Sequence, residues 1–197
     1  LVSGRSIASL DRIFTPLTLP AAGLHGLERR DAAGRVHYPS GYAERIAAAR
    51  AGLLRFVQSE TGLLLEDKGA ALALHFRNAP ELEDACRQHM ETARRTAGED
   101  FHVQQGKMVL ELKPSGHDKG TAIQAFMGEA PFAGRQPVFI GDDLTDEDGF
   151  RAVNHLGGLS VRVGAHADTA ARIVAGSVAE VRQWLTKNME QIDVSTA

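Results

Sequence analysis

The chain has 197 residues, 43% of them hydrophobic, and a formal net charge of −3, which suits one domain with a large insertion or two small ones and excludes bulk attraction to nucleic acid or an anionic membrane. Cys86 is the only cysteine, so an internal disulfide and a thiolate zinc site are excluded, and Cys86 is expected as a small buried or half-buried side chain. No apolar run approaches the ~20 residues that span a bilayer, no signal peptide is visible, and a cytoplasmic protein is the expectation.

Leu1-Val2 reads as the end of a buried strand running into the polar turn Ser3-Gly4-Arg5-Ser6, with an upstream part of the sheet expected outside these residues. Ile7, Leu10, Ile13 and Phe14 then recur at helical spacing, and Pro16 and Pro20 end that helix. The small apolar residues of 21–26 predict a short strand, and Asp31-Ala32-Ala33-Gly34-Arg35 a hairpin turn. Residues 42–57 predict a helix whose buried face carries Ile46, Ala49, Leu53 and Phe56. A hairpin over 63–67 and 71–76 turns at Lys68-Gly69. Pro80 opens a second helix reaching about Arg95, with Glu81, Glu83 and Asp84 suited to its positive end. Residues 101–104 and 108–112 pair as strands around Gly106. The middle of the chain is therefore two helices on one antiparallel sheet.

After Lys113-Pro114 the grammar changes. A helix runs from Asp118-Lys119-Gly120 to about Met127, and Pro137-Val138-Phe139-Ile140 is a continuous apolar strand of the kind buried in parallel sheets. Residues 150–154 predict a helix, 159–163 a strand and 178–185 a closing helix. Strand–helix alternation predicts a doubly wound α/β layer. The expected organisation is a core of 1–22 and 113–197, interrupted by an inserted α+β domain over 23–112.

Gly141-Asp142-Asp143-Leu144-Thr145-Asp146-Glu147 follows the apolar strand directly, and ligands of open α/β sheets bind at the carboxyl ends of strands. Clustered carboxylates there repel one another unless a hard cation neutralises them, and magnesium takes oxygen ligands beside phosphate. A solvated acidic helix start is the plainer alternative. A calcium loop fails on spacing, since Leu144 and Glu147 fall where a ligand and a glycine belong. Ser3-Gly4-Arg5, also at a strand end, offers a hydroxyl and exposed N–H groups to phosphate oxygens. Lys119 stands in a helix's first turn, where anions are already favoured.

Serine, then lysine, then Gly-Asp-Asp in that order resembles the later motifs of the haloacid-dehalogenase-type phosphatases. With the segments Ala22-Gly23-Leu24-His25-Gly26-Leu27-Glu28-Arg29-Arg30, Glu66-Asp67-Lys68-Gly69 and Leu110-Glu111-Leu112-Lys113-Pro114, the chain is similar over nearly its whole length to the trehalose-6-phosphate phosphatase family. That resemblance implies a haloacid dehalogenase-like core with a cap and a small-molecule substrate, trehalose 6-phosphate. It also implies that Ser3, with Gly4 and Arg5, holds the phosphoryl group and that Lys119 neutralises it. Asp142 would ligate magnesium (Mg2+), with Asp143 and Asp146 supporting the metal shell. His25, Gly26, Glu28, Arg29, Glu66, Lys68 and Glu111 are the implied sugar-side contacts, rich in the charged donors and acceptors that bond hydroxyls strongly. For Glu66 and Lys68 an exposed same-face strand pair is the plainer alternative.

The family depends on an early Asp-x-Asp that supplies the nucleophile and the acid/base, and no such motif occurs near Leu1. The expectation is a truncated or inactive form of the phosphatase. A phosphatase for sucrose 6-phosphate or mannosyl-phosphoglycerate, and a non-catalytic sugar-phosphate binding protein, are the alternatives.

Overall fold

The structure, a computed structural model, describes residues 1–165 and 168–194. Helix α1 (Ile7–Phe14) starts on Ser6, whose hydroxyl accepts from the Ser9 N–H at 3.2 Å. Val2 bridges Ala22 in parallel, so the Ser-Gly-Arg turn leaves a strand end as its sequence predicts. Strands β1 (Ala21–Gly23), β2 (Glu28–Arg30) and β3 (Val36–His37) form a small antiparallel sheet, with the predicted turn at Asp31 between the last two. Arg30 fastens this sheet to α1 through two bonds to Asp11, at 2.9 and 2.7 Å.

The inserted elements are α2 (Tyr42–Ser59), β4 (Leu64–Asp67), β5 (Leu72–His75), α3 (Glu83–Ala97), β6 (Phe101–Gly106) and β7 (Val109–Pro114), with sheet order β4-β5-β7-β6. Ile46, Ala49, Leu53 and Phe56 are the buried face of α2, as their spacing predicts. They pack with Cys86 and Met90 of α3 on Leu72, Leu74, Leu110 and Leu112. Each fully buried leucine there contributes about 1.5–3 kcal/mol. Because strand side chains alternate, Glu66, Glu111 and Lys113 stand on the other face, away from the helices. Pro80 opens a 3-10 turn, Pro80–Leu82, rather than the α-helix itself, which begins at Glu83.

Helix α4 (Lys119–Met127) starts on a capping box in which Asp118 accepts from Thr121. Strands β8 (Val138–Gly141), β9 (Leu159–Val163) and β10 (Ile173–Ala175) form a parallel sheet in the order β10-β9-β8. Helix α5 (Glu147–His155) lies between β8 and β9 in sequence, and α6 (Val178–Val194) closes the described chain. One expectation fails here. β8 was expected to be buried, but among the described residues it pairs only with β9, and Val138 is 49% exposed. The short β10 escaped the sequence because three residues carry too little pattern, and α6 runs past Leu185.

Glu147 is a structural acid. Its carboxylate meets buried Arg162 at 3.0 Å and accepts from Thr169 Oγ1 at 2.8 Å and the Ala170 N–H at 2.7 Å. Burial raises its pKa, but the bonds from Ala170, Thr169 and Arg162 outweigh that and hold it below the ordinary value. A depressed folded pKa stabilises the native state above the unfolded value of about 4.3 and ceases to do so as pH falls through the folded value. Glu147→Ala is expected to cost about 3–5 kcal/mol at pH 7, because it strands the Arg162 charge. Urea unfolding from pH 7 down to pH 3 checks both points, and the penalty of the variant should shrink toward the acid end.

Candidate active site

The acidic loop at the end of β8 is built around Asp146. One of its oxygens accepts from the Asp142 and Asp143 N–H groups at 3.0 and 2.9 Å, and the other meets Lys119 Nζ at 2.7 Å. Lys119 and Asp146 are both buried. This pair ties the start of α4 to the loop after β8, which are far apart in sequence. Asp143 caps the following 3-10 turn, accepting from the Leu144 N–H at 2.7 Å. Arg162 bonds the Asp142 carbonyl from behind at 3.0 Å. The Asp142 carboxylate is exposed and has no hydrogen bond or ion pair among the described residues.

The Ser3-Gly4-Arg5 turn reaches the same region through His25. Ser3 Oγ accepts from the Arg5 N–H at 3.1 Å, which leaves its own proton to donate outward. The Gly4 N–H donates to nothing among the described residues. Leu24 and His25 have φ of 50° and 57°, left-handed values that few side chains adopt without a fixing context. Here the context is a pair of bonds, Leu24 N–H to the Arg5 carbonyl and His25 N–H to the Ser3 carbonyl, both 3.0 Å. A side chain on Gly4 would meet the His25 ring at 2.5 Å, and one on Gly26, with φ +101°, would meet the Asp118 carbonyl at 2.6 Å. Glycine at both positions lets the serine turn, the His25-Gly26 turn and the start of α4 close on one another. The pKa of His25 is lowered, first by burial and then by Lys113, against Glu111, with Lys119 and Lys68 adding to the lowering. Its ring is thereby held toward the neutral form among three lysines.

Opposite lies the open face of the four-stranded sheet. Lys68 and Glu111 form an ion pair at 2.8 Å, and Glu66 meets His75 at 3.0 Å. Gly4, Arg5, Glu28, Glu66 and Lys68 all border one cleft of about 590 Å³ between α1 and the β4–β5 turn. Ser9, Arg12 and Tyr38 border it too. Sequence reasoning missed them because nothing marks a serine or arginine on a short helix, or a tyrosine just past a two-residue strand, as facing a cleft.

Two of the residues implied as sugar contacts are engaged elsewhere. Glu28 is buried and accepts from the Ile7 N–H, capping α1, although its edge still borders the cleft. Arg29 points to the end of α4, where it lies 5.3 Å from the centre of the Phe126 ring and pairs with Glu129 just past the helix. Among the described residues, no three histidine, cysteine, aspartate or glutamate side chains are grouped to hold a metal ion. Asp146 has both oxygens committed within the chain, so it shapes the loop rather than offering a ligand. The free Asp142 carboxylate, with Asp143 beside it, fits a hard cation of magnesium's kind, which takes one or two carboxylates and completes its shell with water and substrate phosphate.

An acidic loop at the carboxyl end of a parallel sheet, with an α+β cap inserted into the core, is the arrangement of a haloacid dehalogenase-like α/β fold. A solved phosphatase of that superfamily from Bacteroides thetaiotaomicron shares it, with a TM-score of 0.58 at 14% identity over 88% of this chain and 74% of that one. The match of a trehalose-phosphatase family model to residues 1–181 narrows the class, and the chain belongs to the trehalose-phosphatase family. A "Probable trehalose-phosphate phosphatase" of Sinorhizobium fredii is 49% identical over 83% of this chain and 62% of its own length. The trehalose-6-phosphate phosphatase of Escherichia coli is 48% identical over 94% of this chain and 69% of its own length. The chain thus spans about two thirds of the length of these relatives. A crystal structure of a trehalose-6-phosphate phosphatase related protein matches 100% of this chain and 82% of its own, with a TM-score of 0.76 at 27% identity.

Proposed function

We propose that the protein containing this chain is a magnesium-dependent phosphatase that releases trehalose and inorganic phosphate from trehalose 6-phosphate. The observation that carries this reading is the buried Lys119–Asp146 pair, which holds a cation and the free Asp142 carboxylate together at the end of β8. The names of the two relatives near one-half identity supply the substrate.

In this reading Ser3 Oγ and the Gly4 N–H donate to phosphoryl oxygens while Lys119 balances their charge. Such donors, fixed before substrate arrives, lower the barrier without reorganising. Asp142 would hold magnesium with Asp143 close by, and the ion, when bound, would neutralise charge on the phosphoryl oxygens. The sugar lies in the cleft between α1 and the β4–β5 turn, against Glu66 and Lys68, with Glu111 beside them through its ion pair with Lys68. Residues 1–22 and 113–197 form the core and 23–112 the inserted cap, with hinges near Gly23 and Lys113-Pro114, except that Lys113 and Pro114 end β7 and stay with the cap's sheet while residues 24–27 stay bonded to the core. Closure between them excludes water from the phosphoryl group.

The test is phosphate release by the full-length protein from a panel of sugar phosphates, with magnesium and with chelator. Selective release from trehalose 6-phosphate, lost on chelation, is the expected result. Preference for sucrose 6-phosphate would keep the phosphatase and overturn the sugar assignment. Calorimetric binding of trehalose 6-phosphate without turnover of any substrate would make the protein a sugar-phosphate binder.

A further inference from the structure

Lys113 is the one lysine of this region without a counter-charge. Lys119 is committed to Asp146 and Lys68 to Glu111, both within 2.8 Å. Lys113 is only 6% exposed, yet its side chain makes no hydrogen bond or ion pair among the described residues. A lysine so little exposed rarely goes without a partner, and its Nζ is not fully buried, so the charge itself still opens to solvent. The acids that act on it, Glu111, Asp118 and Asp148, all lie beyond ion-pair distance, while Lys68 repels it. Glu111 moreover is already spent on Lys68.

Strand register fixes where this charge stands. Leu72 pairs with Leu112 and Val103 with Leu112 across the sheet, so Ala71, Lys113 and His102 share one row of the open face. Lys68 extends that row, because its N–H donates to the Ala71 carbonyl at 2.9 Å. The row is covered by the core: Ala71 packs on Leu24 and Leu27, which flank the His25-Gly26 turn. Lys113 therefore sits on the cap side of the seam, facing the turn that rests on Gly4, while Lys119 stands on the core side.

We propose that Lys113 is a positioning residue for a phosphate ester: its ammonium ion takes the anion from the cap side as Lys119 takes it from the core side. This rests on the phosphatase reading and adds that the cap binds phosphate as well as sugar. Water solvates the charge in the free protein, and a bound anion supplies the counter-charge that the described residues do not. Binding then draws the two sides of the seam together, since one anion is shared between a cap residue and a core residue. Its burial, which lowers the Lys113 pKa, strengthens the contact by the same removal of water.

The experiment is calorimetric titration of inorganic phosphate into the full-length protein, as wild type, Lys113→Met and Lys113→Arg, with thermal melting of each. Lys113→Met is expected to weaken phosphate binding at least tenfold while its melting temperature holds or rises, because a desolvated charge has been replaced by an apolar chain of similar length. Lys113→Arg is expected to stay within threefold of wild type in phosphate affinity. In turnover, Lys113→Met is expected to raise KM tenfold or more and to change kcat by less than threefold, as loss of uniform binding does. Unchanged phosphate affinity in Lys113→Met would overturn the proposal, and so would a lowered melting temperature in that variant together with wild-type affinity in whatever folds. If Lys113→Met does not fold, a tenfold loss in a stable Lys113→Arg would overturn it as well. Failure of the wild type to turn over trehalose 6-phosphate would overturn the substrate assignment alone, because the phosphate titration does not depend on the sugar.

Discussion

Lys119→Met is expected to lower phosphatase turnover at least ~10³-fold and to destabilise the fold by about 3–5 kcal/mol. Both effects follow from one geometry. Lys119 Nζ lies 2.7 Å from an Asp146 oxygen, and both side chains are buried. Removing the ammonium ion leaves a buried carboxylate uncompensated, and that carboxylate also holds the Asp142 and Asp143 N–H groups in place. The loop after β8 thus loses its anchor when the cation proposed to balance the phosphoryl charge is lost. The two contributions separate in the pair Lys119→Met with Asp146→Asn. That double variant has no stranded charge, so its urea midpoint is expected to recover most of the loss, while turnover stays as low as in the single variant. Recovery of turnover together with stability would mean that Lys119 serves only to hold the loop.

The parts of this architecture that the sequence announced are those governed by period and by strand ends. The face of α2 at Ile46, Ala49, Leu53 and Phe56 and the alternation that turns Glu111 away from Leu110 and Leu112 follow from side-chain geometry alone. The Gly-Asp-Asp loop was legible because it follows an apolar strand directly, and ligands of open α/β sheets bind at the carboxyl ends of strands. Division of labour among those acids was not legible. Asp142, Asp143, Asp146 and Glu147 are chemically alike in sequence, yet one is free, two brace the loop and one neutralises Arg162. Only the fold decides which carboxylate meets an arginine from a later strand. Arg29 is the same lesson on the sugar side, since a motif position carried no information about Glu129 a hundred residues on. Lys113 was read only as the place where the chain crosses between the inserted domain and the core. Its burial depends on the Leu24–Leu27 turn folding over Ala71, a contact between distant segments.

Asp142 gives the opposite profile to Lys119, and the contrast tests whether stability and chemistry are divided as the geometry implies. Its carboxylate is exposed and bonded to nothing among the described residues, whereas its N–H and carbonyl are both engaged, by Asp146 at 3.0 Å and by Arg162 at 3.0 Å. Asp142→Asn keeps the backbone bonds and removes only the charge. Melting temperature is therefore expected to move by no more than about 2 °C, the scale of an exposed substitution in a chain of this size. Turnover is expected to fall at least ~10²-fold, and the magnesium concentration for half-maximal activity to rise at least ~10-fold, because a hard cation held by so few carboxylates loses its principal anionic ligand. Magnesium titration of the variant, read by activity and by calorimetry, checks this. A shift of many degrees in melting with an unchanged magnesium requirement would make Asp142 a structural acid like Glu147. In that case the cation would have to be placed on Asp143, the other exposed carboxylate of the loop.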